Sequence, residues 1–277
     1  MSPAVVVRRP FDPAPALASL VAHAVPGVES VEGSTVRRLV RLGGAPVLVR
    51  ATLGTDVIEV DAPAGTPAAL SDLADRWFGL ADDLDDVRAA FDDDPVLGPL
   101  VRARPRLRIL GHPDGFEAAA TTVLGQQVSL AAARTFGGRL AAAYGTPGPG
   151  GLTLYPAPEE LAAVDPVELQ GVVRIPHSRA RTLHALAQAC ADGLVLAPGE
   201  PDTRERLLAL PGIGPWTADY LALRVLGDRD ALPVGDLVLR KALSVEGAAQ
   251  VARAAESWRP LRAYAAVHLW TATAYAL

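Results

Sequence analysis

This chain of 277 residues has one cysteine, one lysine and few aromatic side chains. The single thiol, Cys190, excludes an internal disulfide and a four-thiolate iron–sulfur cluster. Lys241 is the only lysine, so Schiff-base chemistry through a lysine side chain has no other candidate. Phe, Trp and Tyr together make up 5% of the residues. No apolar run reaches the length of about 18 residues that a membrane helix needs. The opening Met-Ser-Pro-Ala-Val lacks the basic stretch and apolar core of a secretory leader, and a cytoplasmic location is expected. The five histidines, His23, His112, His177, His184 and His268, show no metal-ligand spacing. A net charge of −5 is not the footprint of a chain that grips nucleic acid by bulk electrostatics.

Half of the residues are hydrophobic, enough to bury a full core in two or three compact units. Val36 to Leu42, Pro46 to Leu53 and Val57 to Val60 alternate partially and are separated by the hairpin signals Gly43-Gly44 and Gly54-Thr55. Helices are expected on either side, over Leu17 to Ala24 and Pro67 to Leu80. These segments form a small α/β domain with an antiparallel sheet over residues 1–84. From Asp82 onward the period is helical. Helices are predicted within Asp114 to Leu140 and over Pro158 to Val164, Pro166 to Val172, Ser178 to Asp192, Thr203 to Leu210, Pro215 to Val225, Leu237 to Leu243, Ala248 to Trp258 and Pro260 to Leu277. The fold class is α+β and mainly α. Residues 85–277 form a helical region with one lobe over 111–228 and a second over 85–110 plus 229–277.

Charge is segregated along the chain. Acidic residues concentrate in Asp82 to Asp94, whereas Arg102, Arg104, Arg106 and Arg108 alternate along Val101 to Ile109. With Arg134, Arg139, Arg179 and Arg181 they are candidates to meet a phosphate backbone, although a solvated surface is the ordinary place for each.

The most informative segment is Leu210-Pro-Gly-Ile-Gly-Pro-Trp-Thr-Ala218. It sets a tight turn between two short helices, with Pro215 in the first turn of the second, where a missing N–H costs nothing. Gly212 and Gly214 are expected to supply positive φ and a close backbone approach. The free N–H groups opening the second helix suit a phosphate. A corner that merely turns the chain is the plainer reading. Asp236 follows Pro233-Val-Gly at the start of a predicted helix, where Asp is a good N-cap.

Leu210 to Ala218 resembles the hairpin of the helix-hairpin-helix DNA glycosylases, and Pro233-Val-Gly-Asp236 resembles their Gly/Pro-rich loop and acidic residue. Phe116 to Ala131, Leu210 to Leu223 and Ala263 to Trp270 together are similar to the bacterial 3-methyladenine DNA glycosylase II family. The resemblance implies hydrolysis of the N-glycosidic bond of alkylated bases in double-stranded DNA, by a protein that associates with the nucleoid when acting; a monomer is expected because the sequence has no coiled-coil or obvious association segment. It makes Asp236 the carboxylate facing the target nucleotide, where it stabilises a sugar cation and orients water. Trp216, Tyr220 and Trp270 correspond to the lining of a base pocket, and Trp216 and Tyr220 share a helix face. Electron-rich rings suit a cationic alkylated purine. Tyr264 belongs either to that pocket or to the core.

The same resemblance assigns Gly212, Ile213, Gly214 and Thr217 to DNA contact. It makes Gln127, in the segment Leu124-Gly-Gln-Gln-Val-Ser129, the side chain that enters the stack vacated by the extruded base. No cofactor is required; a structural monovalent cation on the backbone carbonyls of Leu208, Leu210 and Ile213 is a family feature. The lysine of strand-cleaving relatives falls where this chain has Trp216, which implies a monofunctional enzyme with water as nucleophile. The amine of Met1 or Ser2 is the alternative nucleophile. Two positions depart from the pattern: Gln127 stands where an apolar wedge is usual, and Thr271 where a Tyr would enlarge the pocket. Two other functions stay open, a glycosylase for oxidised or deaminated bases and a non-catalytic helix-hairpin-helix protein that binds damaged DNA.

Overall fold

The computed structural model describes residues 3–274. Five strands, β1 (Ala4–Arg8), β2 (Glu29–Glu32), β3 (Thr35–Leu42), β4 (Ala45–Gly54) and β5 (Val57–Asp61), form an antiparallel sheet in the order β1-β5-β4-β3-β2. Strands β1 and β2 were not expected from the sequence; Ala4–Arg8 has no framing turn signal, whereas the Gly33-Ser34 turn that joins β2 to β3, with Gly33 at positive φ, was an overlooked hairpin signal. Gly43 and Gly44 make the β3–β4 turn, both at positive φ. The β4–β5 turn lies one residue later than expected, at Thr55-Asp56. Asp56 takes the left-handed backbone there, and its carboxylate accepts the Phe11 N–H at 3.0 Å.

Helix α1 (Pro13–His23) connects β1 to β2 and starts earlier than its apolar pattern suggested, because Asp12 caps it and Pro13 opens it. Helix α2 (Pro67–Phe78), capped by Thr66, lays Leu70, Leu73, Trp77 and Phe78 on the sheet. Burial of each such side chain contributes about 1.5–3 kcal/mol.

The helical region runs through α3 (Leu84–Phe91), α4 (Leu97–Ala103), α5 (Gly115–Gly125) and α6 (Leu130–Tyr144), then a two-residue strand pair, β6 (Thr146–Pro147) and β7 (Thr153–Leu154). It continues with α7 (Pro158–Ala162), α8 (Pro166–Val173), α9 (His177–Ala191), α10 (Thr203–Leu208), α11 (Pro215–Arg224), α12 (Leu237–Ala242), α13 (Ala248–Ala254) and α14 (Arg262–Ala274). The stretch from Asp114 to Leu140 is two helices, separated at Gln126–Ser129 and capped again by Ser129. The segment expected as one helix to Trp258 ends at Ala254 and finishes as a 3₁₀ turn. Residues 275–277 of the expected last helix, and the amines of Met1 and Ser2, lie outside the described residues. No helix among those described is long and apolar enough to cross a membrane.

Buried apolar side chains collect in three large clusters. One belongs to the sheet and α2. A second gathers α5, α6, α8 and α9 with Leu221 of α11 and Val225 just after it, and includes Val25 and Val28 from the segment after α1. The third gathers α3, α4 and α14 with Ala222 and Leu223 of α11. Helix α11 therefore contributes to both helical cores, and its remaining face is left for the space between them.

The arginines of residues 102–108 all pair within the protein, Arg102 and Arg106 at the surface and Arg108 buried. Arg102 bonds Asp92, Arg104 pairs with Asp12, Arg106 with Asp56, and Arg108 donates to the carbonyls of Pro10, Gly79 and Asp82. Arg134, Arg139 and Arg179 likewise donate to backbone carbonyls, at Ala24, Val173 and Gln126. Arg181 is exposed. Arg104, Arg106, Arg108 and Arg134 thereby tie the helical region to the N-terminal domain.

Arg38 is the strongest such tie. It is 1% exposed on the inner face of the sheet, and donates to Glu29 at 3.2 Å and to Glu117 of α5. Burial opposes its charge, but the two carboxylates outweigh burial and hold its pKa above the usual guanidinium value. Removing one member leaves the others buried and unpaired, so Arg38→Met is expected to cost about 3–5 kcal/mol in urea denaturation. Arg102→Met, at an exposed pair, is expected to cost about 1 kcal/mol or less.

Burial also holds His268, on α14, down to about 4, with Arg104 adding to the effect. Its folded pKa lies below the unfolded value of about 6.5, so the unfolded chain takes up this proton first as the pH falls. Stability is therefore complete above about pH 6.5 and is lost as the pH falls toward 4, with a slope of at most about 1.4 kcal/mol per pH unit from this group. Urea midpoints of His268→Gln measured from pH 7 to pH 4.5 should fall less steeply than those of the natural chain.

Candidate active site

Helices α10 and α11 form the hairpin that the sequence pattern marked out. A bidentate contact holds them together, Arg204 Nε and Nη2 donating to Asp219 Oδ1 at 2.8 and 2.7 Å. Gly212 has φ +81°, and a Cβ there would stand 2.0 Å from Thr182 Oγ1. Both requirements, a left-handed backbone and a close approach, fall on this residue. Gly214 does not share them. Its φ is −95°, it caps α11, and open space surrounds it. The first N–H groups of α11 have no partner within the helix.

Asp236 caps α12, its Oδ1 accepting from the N–H groups of Val238 and Leu239 at 2.9 and 3.0 Å. Capping does not exhaust the carboxylate. The indole of Trp216 donates to Oδ2 at 2.9 Å, and the indole of Trp270 to Oδ1 at 3.0 Å. Four N–H donors from α11, α12 and α14 thus fix the orientation of one carboxylate, which was not legible in sequence because Trp216 and Trp270 were read only as ring surfaces. Their rings do form such a surface. Trp216 and Tyr220 stack at 5.2 Å with 14° between planes, and Tyr220 lies 6.0 Å from Trp270.

Asp236, Trp216, Tyr220 and Trp270 line a cleft of about 550 Å³. Its far wall comes from the N-terminal domain, where Pro15, Ser19 and His23 of α1 line it. Arg134 and Arg224 line it too, and Arg224 continues the α11 face of Trp216 and Tyr220 by one turn. Sequence patterns gave no signal for Pro15, Ser19 and His23, since a wall contributed by another domain has no local periodicity. Thr271 is buried at the same cleft. Tyr264 is not part of it: it is buried in the third core and donates its hydroxyl to Asp82 at 2.6 Å.

The loop between α5 and α6 comes close to the hairpin. Gln127 is exposed with φ +55°, a conformation that costs a non-glycine residue about 1–2 kcal/mol. Gln126 instead points at the hairpin. Its Nε2 donates to Gly212 O and to Thr217 Oγ1, each at 3.1 Å. Thr217 is buried, Ile213 is buried, and the carbonyl of Leu210 accepts the Ile213 N–H at 3.2 Å. Leu208 ends α10. Lys241 is exposed in the last turn of α12, while Cys190 lies within α9, where burial pushes its thiol up to about 12.

The fold that holds the hairpin and Asp236 is shared with solved DNA glycosylases. The structure described as a 3-methyladenine DNA glycosylase from Archaeoglobus fulgidus matches with a TM-score of 0.85 and 21% identity, over 98% of each chain. Residues 4–114 match the family model for the AlkA N-terminal domain, and residues 120–257 that of the HhH-GPD superfamily base excision DNA repair proteins. The DNA-3-methyladenine glycosylase 2 of Escherichia coli is 34% identical, covering 94% of each chain. This chain belongs to the HhH-GPD superfamily and carries the AlkA-type N-terminal domain. A Mycobacterium tuberculosis protein named as a probable bifunctional transcriptional activator/DNA repair enzyme AlkA is 40% identical over 96% of this chain and 55% of its own length. The chain thus spans about half the length of that relative.

Gly212→Ala is expected to destabilise the protein by more than about 1 kcal/mol, through both the positive φ and the contact with Thr182. Gly214→Ala should stay within about 0.5 kcal/mol. Thermal melts of the two variants test this difference.

Proposed function

We propose that the protein is a monofunctional DNA glycosylase that releases alkylated bases of the 3-methyladenine type from duplex DNA. The observation that carries the proposal is the Asp236 carboxylate, held by two indole N–H groups at the mouth of an aromatic cleft. The named activity of the E. coli relative supports it. The N–H groups at Gly214 and the start of α11 meet a phosphate, assisted by Gly212, Ile213 and Thr217. Gln127 enters the gap left by the extruded base and offers hydrogen bonds to the orphaned partner.

Trp216, Tyr220 and Trp270 receive the base by stacking, with cation–π attraction when it is a positively charged methylpurine. Such a base is a good leaving group and needs little acid assistance. Bond cleavage leaves positive charge on the sugar, which the oriented Asp236 carboxylate stabilises while directing water to the anomeric carbon. The water adds its oxygen to that carbon, its proton passes to Asp236 or solvent, and the glycosidic electron pair leaves with the base.

Strand cleavage through a lysine Schiff base is not part of the proposal. Trp216 occupies the hairpin position in question, and the only lysine is the exposed Lys241. A monovalent cation fits the turn between α10 and α11, held by the carbonyls of Leu208, Leu210 and Ile213. Leu208 is among the last carbonyls of α10, which lack helical partners, and the Leu210 oxygen keeps a second lone pair beside its bond from Ile213. Such an ion would add positive charge near the phosphate. The proposal has the protein acting as a monomer.

Free-base release from methylated duplex DNA, resolved chromatographically, tests the reading. Asp236→Asn should lower release by about 10² or more while sparing binding of abasic-site DNA. Trp270→Phe keeps a ring and loses one donor to Asp236, so a smaller loss of about tenfold is expected. An inactive natural protein that still binds abasic-site DNA would reassign the cleft to binding alone.

A further inference from the structure

The wedge loop and the hairpin are built on one platform. Arg179 and Thr182 lie three apart on the same face of α9. Arg179 Nη2 donates to the carbonyl of Gln126, and Thr182 packs so closely on Gly212 that no side chain fits there. The Gln126 side chain closes the third edge, its Nε2 donating to Gly212 O and Thr217 Oγ1 at 3.1 Å each. Gln127 follows immediately, exposed and at positive φ.

We infer that Gln126 is a positioning residue: it fixes the distance between the group that enters the base stack and the N–H groups that meet the phosphate before DNA arrives. This rests on the glycosylase reading and adds a residue to it. A loop free to shift by an ångström would present Gln127 to the wrong base step, and misplacement on that scale can reduce a rate by up to about 10². The strut serves extrusion of a paired base. It has no part in bond cleavage once the base is already unpaired.

The test compares single-turnover release of one methylated purine, placed either opposite its normal partner or opposite an abasic spacer. Gln126→Glu keeps the shape but turns an acceptor toward the Gly212 carbonyl. Gln126→Met keeps the length and removes both donors. Release from the paired site is expected to fall about tenfold in Gln126→Glu and less in Gln126→Met, with release from the spacer duplex unchanged within about twofold. An equal fall on both substrates would mark a general structural role and overturn the inference, as would no fall on either. If the natural protein releases nothing from either duplex, the glycosylase reading fails and the strut has no reaction to serve.

Discussion

The Asp236 carboxylate sets the geometry of this protein. Its two oxygens accept N–H groups from the start of α12, from Trp216 on α11 and from Trp270 on α14, so three helices must hold their relative places for all four bonds to form. Helix α11 makes that possible because it is packed into both helical cores at once, through Leu221 on one side and Ala222 and Leu223 on the other. An aspartate serving only as a helix cap would not need the two indoles. Their presence turns a capping residue into a rigid anion facing a cleft.

The N-terminal domain completes that cleft rather than standing apart from it. Helix α1 supplies a wall, and the buried Arg38 bridges the sheet to α5 through Glu29 and Glu117. The negative net charge also becomes intelligible. Most of the arginines that looked available for a phosphate backbone bond carbonyls and carboxylates of the chain itself, and the proposed function leaves anion recognition to the hairpin's backbone N–H groups and the helix dipole. Such recognition depends on where a few N–H groups point, and only weakly on the overall charge.

Much of this was legible in the sequence. Apolar period separated the sheet from the helices, Gly43-Gly44 marked a hairpin, and Leu210 to Ala218 with Asp236 marked the site region. Capping of α12 by Asp236 and the shared face of Trp216 and Tyr220 followed from local rules. What escaped were contacts between segments distant in sequence. The indole bonds to Asp236 span 20 and 34 residues, and the Gln126 bonds to the hairpin span 86 and 91. Gly214 was misread because Gly-x-Gly does not say which glycine carries the positive φ. The internal pairing of Arg102 to Arg108 was missed for the same kind of reason, since an arginine row looks alike whether its partners are phosphates or distant carboxylates.

The central claim is that Asp236 stabilises positive charge on the sugar. Its most direct test is the affinity for duplex DNA containing a cationic pyrrolidine abasic analogue, compared with the neutral tetrahydrofuran analogue of similar shape. The account predicts that the cationic site binds at least about 10²-fold more tightly, and that Asp236→Asn erases the preference while leaving affinity for the neutral site unchanged. Equal affinities in the natural protein, or a preference that survives Asp236→Asn, would contradict it.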